Sequence, residues 1–102
     1  MNVKNVGETK GWFSVLQTEE RTQTAVMTLK PGRSSGEEPE AHKNSTQVLL
    51  VLKGEVVAQL EGNRKALSEG DVIVIPAGVK HKVTNEGRND CVTFNTYSPP
   101  EY

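Results

Sequence analysis

One cysteine, Cys91, is all the thiol chemistry this 102-residue chain possesses. An intrachain disulfide and a Cys-based zinc site are therefore both excluded. Aromatic residues make up only 5% of the chain, and there are two histidines, His42 and His81. Neither sign of charge prevails: 12 Lys plus Arg stand against 13 Asp plus Glu, a formal net charge of −1. Binding to nucleic-acid phosphates calls for a basic excess, so a nucleic-acid partner is not expected. Long hydrophobic runs are missing too. The longest, Val48 to Leu52, is far short of the ~20 residues that cross a bilayer. Met1 to Glu8 lack the apolar stretch of about 7–15 residues that marks a secretion signal. A soluble, cytoplasmic protein with no membrane partner is expected, folded as one domain over residues 1–102.

What is present is period-2 alternation between turn signals. Candidate strands run from Thr24 to Lys30, Gln47 to Leu52, Glu55 to Leu60, Arg64 to Leu67, Val72 to Ile75, Val79 to Thr84 and Cys91 to Tyr97. Pro31-Gly32, Lys53-Gly54, Glu61-Gly62-Asn63 and Glu69-Gly70-Asp71 punctuate them. No segment has a convincing helical period; Trp12 to Gln17 is too short and too rich in β-formers. Short strands at this spacing predict an all-β sandwich or barrel. Val48 to Leu52 and Val72 to Ile75 are apolar at every position. Strands buried on both faces need a second sheet or a partner chain, so two sheets and a homodimer are expected.

The two histidines frame the candidate chemistry. Strand alternation places Val79, His81 and Val83 on one face and Lys80, Lys82 and Thr84 on the other. The lysines must be solvated, so His81 points inward, as a ligand or as a core histidine satisfied by a carbonyl. Glu40 and His42 share a face in extended chain, and Gln47 opens the apolar strand. Carboxylate, imidazole and amide oxygen suit a borderline divalent metal, whereas Glu37, Glu38 and Glu40 also suit a solvated acidic loop. The polar stretch Gly32 to Ser45 reads as a functional or mobile loop. Trp12 and Phe13 read as core first, with a pocket or an interface as the alternatives, and Cys91 as a small buried hydrophobe. Asn85 reads as a cap on the Pro76-Ala77-Gly78 turn. Pro99 and Pro100 end the last strand, and no function is assigned to Glu101 and Tyr102.

Gly70 to Asn85 fits G-x5-P-x-G-x2-H-x3-N without a gap, through Gly70, Pro76, Gly78, His81 and Asn85. A chance match at five fixed positions is on the order of 10⁻⁵ to 10⁻⁴ for this composition. The run resembles the second signature motif of the cupin superfamily. The first motif, G-x5-H-x-H-x3–4-E-x6-G, is matched in altered form by E-x-H-x4-Q-x6-G: Glu40, His42, Gln47 and Gly54. Ser34 stands in its first glycine position, so the two motifs together span residues 34–85.

The resemblance to small single-domain cupins implies a double-stranded β-helix, a jelly-roll barrel of two antiparallel sheets with a divalent metal inside. Carried over position by position, the metal ligands are Glu40, His42, Gln47 and His81. Two histidines and one carboxylate suit Fe, Mn, Ni or Zn. A metal so held would serve an isomerase- or dioxygenase-type enzyme acting on a small polar or carbohydrate-like metabolite. The alternative is a non-catalytic barrel that binds or senses a small ligand. Cupins host both, and function lives in the site rather than in the fold.

Overall fold

A computed structural model describes residues 1–102. After one 3-10 turn at Val6–Glu8 come eight strands: β1 (Phe13–Thr18), β2 (Gln23–Leu29), β3 (Thr46–Lys53), β4 (Val56–Leu60), β5 (Asn63–Leu67), β6 (Val72–Ile75), β7 (His81–Thr84) and β8 (Cys91–Ser98). They form two antiparallel sheets, β1-β2-β8-β3-β6 and β5-β4-β7. The seven expected strands are present with ends shifted by a residue or two. β1 is an addition: Phe13 to Thr18 pairs with β2 as the edge of the larger sheet.

Turn chemistry sets the shorter sheet. Glu61 (φ 48°) and Gly62 (φ 84°) connect β4 to β5, the two positive φ values of a tight hairpin whose twist matches its strands. Gly54 leads from β3 into β4 at φ 79°, where a Cβ would stand 2.5 Å from the Asp90 carbonyl oxygen. Only glycine fits that approach.

The polar stretch 32–45 is stitched to the free edge of β7. Ser35 N donates to Val83 O at 2.8 Å, and Glu40 and His81 exchange both backbone hydrogen bonds at 2.9 and 3.0 Å. Gly78 N donates to His42 O at 2.8 Å. The stretch thus behaves as an irregular extra strand of the smaller sheet.

The barrel interior is graded along its length. On β8 the inward column runs Cys91, Thr93, Asn95, Tyr97, every one buried. Register sets Cys91 beside Leu29, Thr93 between Met27 and Val51, Asn95 between Ala25 and Leu49, and Tyr97 between Gln23 and Gln47. One end is therefore hydrocarbon, closed by Val56, Ala58, Leu67 and Val83. The other end is polar, with Gln23, Ser45, Gln47, His81 and Asn95 all buried. Asn85 is buried but does not cap the Pro76 turn. Its Nδ2 donates to Leu29 O and Asn89 O, and its Oδ1 accepts from Gly87 N, each at 2.8 Å. It ties the turn after β7 to the end of β2.

The strands that are apolar on both faces are covered on one. Leu49, Val51 and Ile75 are buried inside, whereas Val72 and Val74 on the outer face are 59% and 55% exposed. The second sheet accounts for the inner face only. Trp12 is 55% exposed at a cavity rim rather than in the core. A large side chain beside a glycine at an edge strand has only the rim to pack on. No helix is long and apolar enough to cross a membrane.

Candidate functional site

Glu40, His42, Gln47 and His81 all line one cavity of about 70 Å³ at the polar end of the barrel. Phe13, Met27, Tyr97 and Tyr102 supply its apolar walls. Each polar side chain is placed by backbone pairing. His81 opens β7 facing inward, and its mutual hydrogen bonds with Glu40 put both side chains on the same side of the sheet. The Glu40 carboxylate stays exposed at the rim. His42 is half-buried with its ring centroid 4.8 Å from that of His81. Gln47 enters from β3 and is 4% exposed.

A hydrogen-bonded chain runs from the cavity into the barrel. His42 Nε2 lies 3.0 Å from Gln47 Oε1, and Gln47 Nε2 donates to Asn95 Oδ1 at 3.0 Å. Asn95 Nδ2 donates in turn to Thr93 Oγ1 at 3.0 Å. Because the Gln47 NH2 group faces Asn95, its oxygen accepts from an Nε2–H of His42. His81 has the opposite arrangement: its Nδ1 is 3.0 Å from Val79 O, so Nδ1 carries the proton and Nε2 is left as a bare lone pair. Burial holds the His81 pKa below its ordinary value; the Val79 carbonyl opposes this, His42 reinforces it and Glu40 opposes it. Tyr97 is buried at the cavity wall. Burial, then the neighbouring Tyr102 and Glu101, push its pKa up, so the hydroxyl stays protonated and can only donate to an anion.

Two residues assigned no role in the sequence stand at the mouth. After β8 the chain turns back, and Tyr102 packs 4.9 Å from Phe13 and 5.1 Å from Tyr97, centroid to centroid. Glu101 Oε1 approaches His42 Nδ1 at 3.7 Å. Gln23, 1% exposed, holds this segment. Its Nε2 donates to Tyr102 O at 2.7 Å, and its Oε1 accepts from Tyr102 N and Glu101 N at 2.9 and 3.1 Å. Ser45 Oγ adds a bond to Pro99 O at 2.6 Å. The available signal was the Pro99-Pro100 pair. It cannot continue a ladder, so β8 ends at the cavity end of the barrel.

The larger sheet, the smaller sheet and the cavity between them correspond to a known family. A family model for the cupin domain matches residues 25–97. The chain belongs to the cupin family. An uncharacterized protein of Acanthamoeba polyphaga mimivirus is 34% identical over 93 residues, covering 86% of this chain and 56% of that relative. The chain thus spans little more than half of that relative's length. A crystal structure from Bacillus halodurans superposes with a TM-score of 0.87 at 24% identity, over 94% of this chain and 76% of that one. A predicted oxalate decarboxylase from Thermotoga maritima gives 0.77 at 24% identity, over 84% and 77%. These likenesses establish the double-stranded β-helix.

Whether the cupin cavity here suits a divalent metal is a question of donors. No three His, Cys, Asp or Glu side chains stand together as a closed ligand set. No buried side-chain nitrogen or oxygen lacks a hydrogen-bond partner either. The donors nevertheless fit in kind: two imidazoles, an amide oxygen and a rim carboxylate. The 3.0 Å between His42 Nε2 and Gln47 Oε1 is also the separation of two adjacent ligands on an octahedral ion with bonds of about 2.1 Å.

Proposed function

We propose that this cupin holds one divalent cation, Fe, Mn, Ni or Zn, at Glu40, His42, Gln47 and His81, and acts there on a small polar metabolite. The observation that carries the reading is the pairing of both histidines on one small cavity. His81 offers a bare Nε2, and His42 Nε2 lies at ligand spacing from Gln47 Oε1. The low His81 pKa favours the neutral ring that a metal ligand must be. A bound cation would supply Lewis acidity toward a carbonyl or enediol oxygen, or, as Fe, reactivity toward dioxygen.

The chain's own residues would do the rest. Tyr97, protonated at its hydroxyl, donates to a ligand oxygen. Phe13 and Met27 keep bulk water off one wall. Glu38 and Glu40 line the opening, which favours cations over anions in the approach.

Metal content per chain tests the reading: purified protein is analysed for Fe, Mn, Ni and Zn beside His81→Ala. Near-stoichiometric metal in the wild type, lost in the variant, is the expected result. A wild type that stays empty after incubation with each ion overturns it. One observation favours that other outcome, a non-catalytic binding barrel: the His42–Gln47–Asn95–Thr93 chain is complete without any ion.

The homodimer enters the same proposal. Cross-strand pairs Val48–Val74 and Leu50–Val72 lie on the outer face of β3 and β6, with Leu52 38% exposed beside them. Five strands about 4.8 Å apart present a sheet face on the order of 24 by 25 Å. With side-chain relief this approaches the roughly 800 Å² per partner of a standard interface. A second copy, apposing the same patch about a two-fold axis, covers both at once.

A further inference from the structure

His42 and His81 differ in how their outer nitrogens are held. The Val79 carbonyl fixes the Nδ1 proton of His81 at 3.0 Å, directing Nε2 into the cavity. The Nδ1 of His42 faces the Glu101 carboxylate at 3.7 Å, beyond hydrogen-bond range, while its Nε2 proton is spent on Gln47. A cation can use only a deprotonated Nε2. The ring must then carry its proton on Nδ1, toward Glu101.

We infer that Glu101 is the positioning residue for His42, doing for it what the Val79 carbonyl does for His81; the inference rests on the metal reading above. On loading, the Nε2 proton leaves and the ring carries its proton on Nδ1. Glu101 closes on the new Nδ1–H and holds the ring with its lone pair toward the ion. The backbone already puts the carboxylate within reach. Gln23 spends three hydrogen bonds on residues 101 and 102, and the Glu101 side chain, 28% exposed, is free to turn. The segment 99–102 is thus part of the site, although it lies outside both sequence motifs.

The test is Zn²⁺ affinity by competition with a chromophoric chelator in wild type, Glu101→Ala and Glu101→Gln, together with long-range ¹H–¹⁵N spectra of the His42 ring. Removing the carboxylate weakens Zn²⁺ binding about 10- to 100-fold. Glu101→Gln recovers most of the loss, because its amide oxygen still accepts from Nδ1–H. The ring reads Nε2–H in the metal-free wild type and Nδ1–H once Zn²⁺ is bound. Binding by Glu101→Ala within twofold of wild type overturns the inference, as does an Nε2–H ring in the loaded protein. Equal losses in the Ala and Gln variants also overturn it, because charge alone would then explain them. Where Zn²⁺ does not bind, the same comparison is run with Mn²⁺, Fe²⁺ and Ni²⁺, and a wild type that takes up none of the four overturns the metal reading and this inference with it.

Discussion

Gln47→Glu restores the residue found at this position in the first cupin motif, and the structure sets what the change should do. Gln47 is 4% exposed and bonded on both sides, to His42 and to Asn95. A carboxylate keeps the first bond and loses the second, because two acceptors would then face each other at 3.0 Å. Rotating the Asn95 amide relieves that clash, since the Thr93 hydroxyl can donate where it now accepts. What is left is a charged carboxylate in a buried polar layer with one imidazole and one amide as its hydrogen-bond donors. An incompletely satisfied buried group of this kind costs about 2 kcal/mol. With a urea m-value of about 1.5 kcal/mol per M, the metal-free midpoint should fall by about 1.3 M. An anionic ligand should tighten Zn²⁺ binding at least tenfold, about 1.4 kcal/mol. In excess Zn²⁺ the variant should therefore regain most of the deficit. Urea titrations with and without Zn²⁺ read both halves. A metal-free variant as stable as wild type would mean that burying the carboxylate there costs nothing, and would refute the reasoning. Equal Zn²⁺ stabilisation of both proteins would remove residue 47 from the ligand set.

Gly54→Ala should cost at least 2 kcal/mol, because positive φ and a 2.5 Å approach to the Asp90 carbonyl add together; a urea midpoint within 0.2 M or so of wild type would contradict this. Burial raises the Cys91 thiol from its ordinary 9.0 to about 11. The unfolded chain ionises first as pH rises, so the stabilisation is intact below pH 9 and declines between 9 and 11. Native protein at pH 8 should resist iodoacetamide, and alkylation as fast as in urea would refute the burial argument. Val74→Lys should convert a dimer into monomers in sedimentation at micromolar concentration without changing metal content. A wild type that sediments as a monomer at every concentration removes the β3–β6 interface.

Much of this architecture was legible because alternation and turn residues carry it. Glu61-Gly62 demanded a hairpin, and the inward parity of His81 followed from the lysines on either side. β1 was harder to read, since the register shift between Val15 and Gln17 breaks its alternation and none of its residues is fully buried. The gathering of Glu40, His42, Gln47 and His81 came from motif spacing. The hydrogen-bonded chain behind them did not, because which of Gln47's neighbours on β8 faces inward depends on a parity that Cys91 to Tyr97 leave open. The roles of Gln23 and Glu101 lay outside local pattern altogether. Residues 23 and 101 meet only because the chain doubles back across the barrel mouth, a contact between positions 78 apart.

The Gln23 amide also sets a clock. Three of its hydrogen bonds hold residues 101 and 102 across the opening, and at about 1 kcal/mol each, releasing them requires about 3 kcal/mol. The Ser45 bond to Pro99 and the packing of Tyr102 on Phe13 and Tyr97 add to that, so the mouth would stand open in at most roughly one molecule in 150 at any instant. Under the proposed function, a metabolite too large for the 70 Å³ cavity would have to wait for that fraction, and its association rate would fall by the same factor. An ion with few waters need not. The barrel would fill in two steps on separate timescales, cation first and metabolite second, with the order imposed by one buried glutamine.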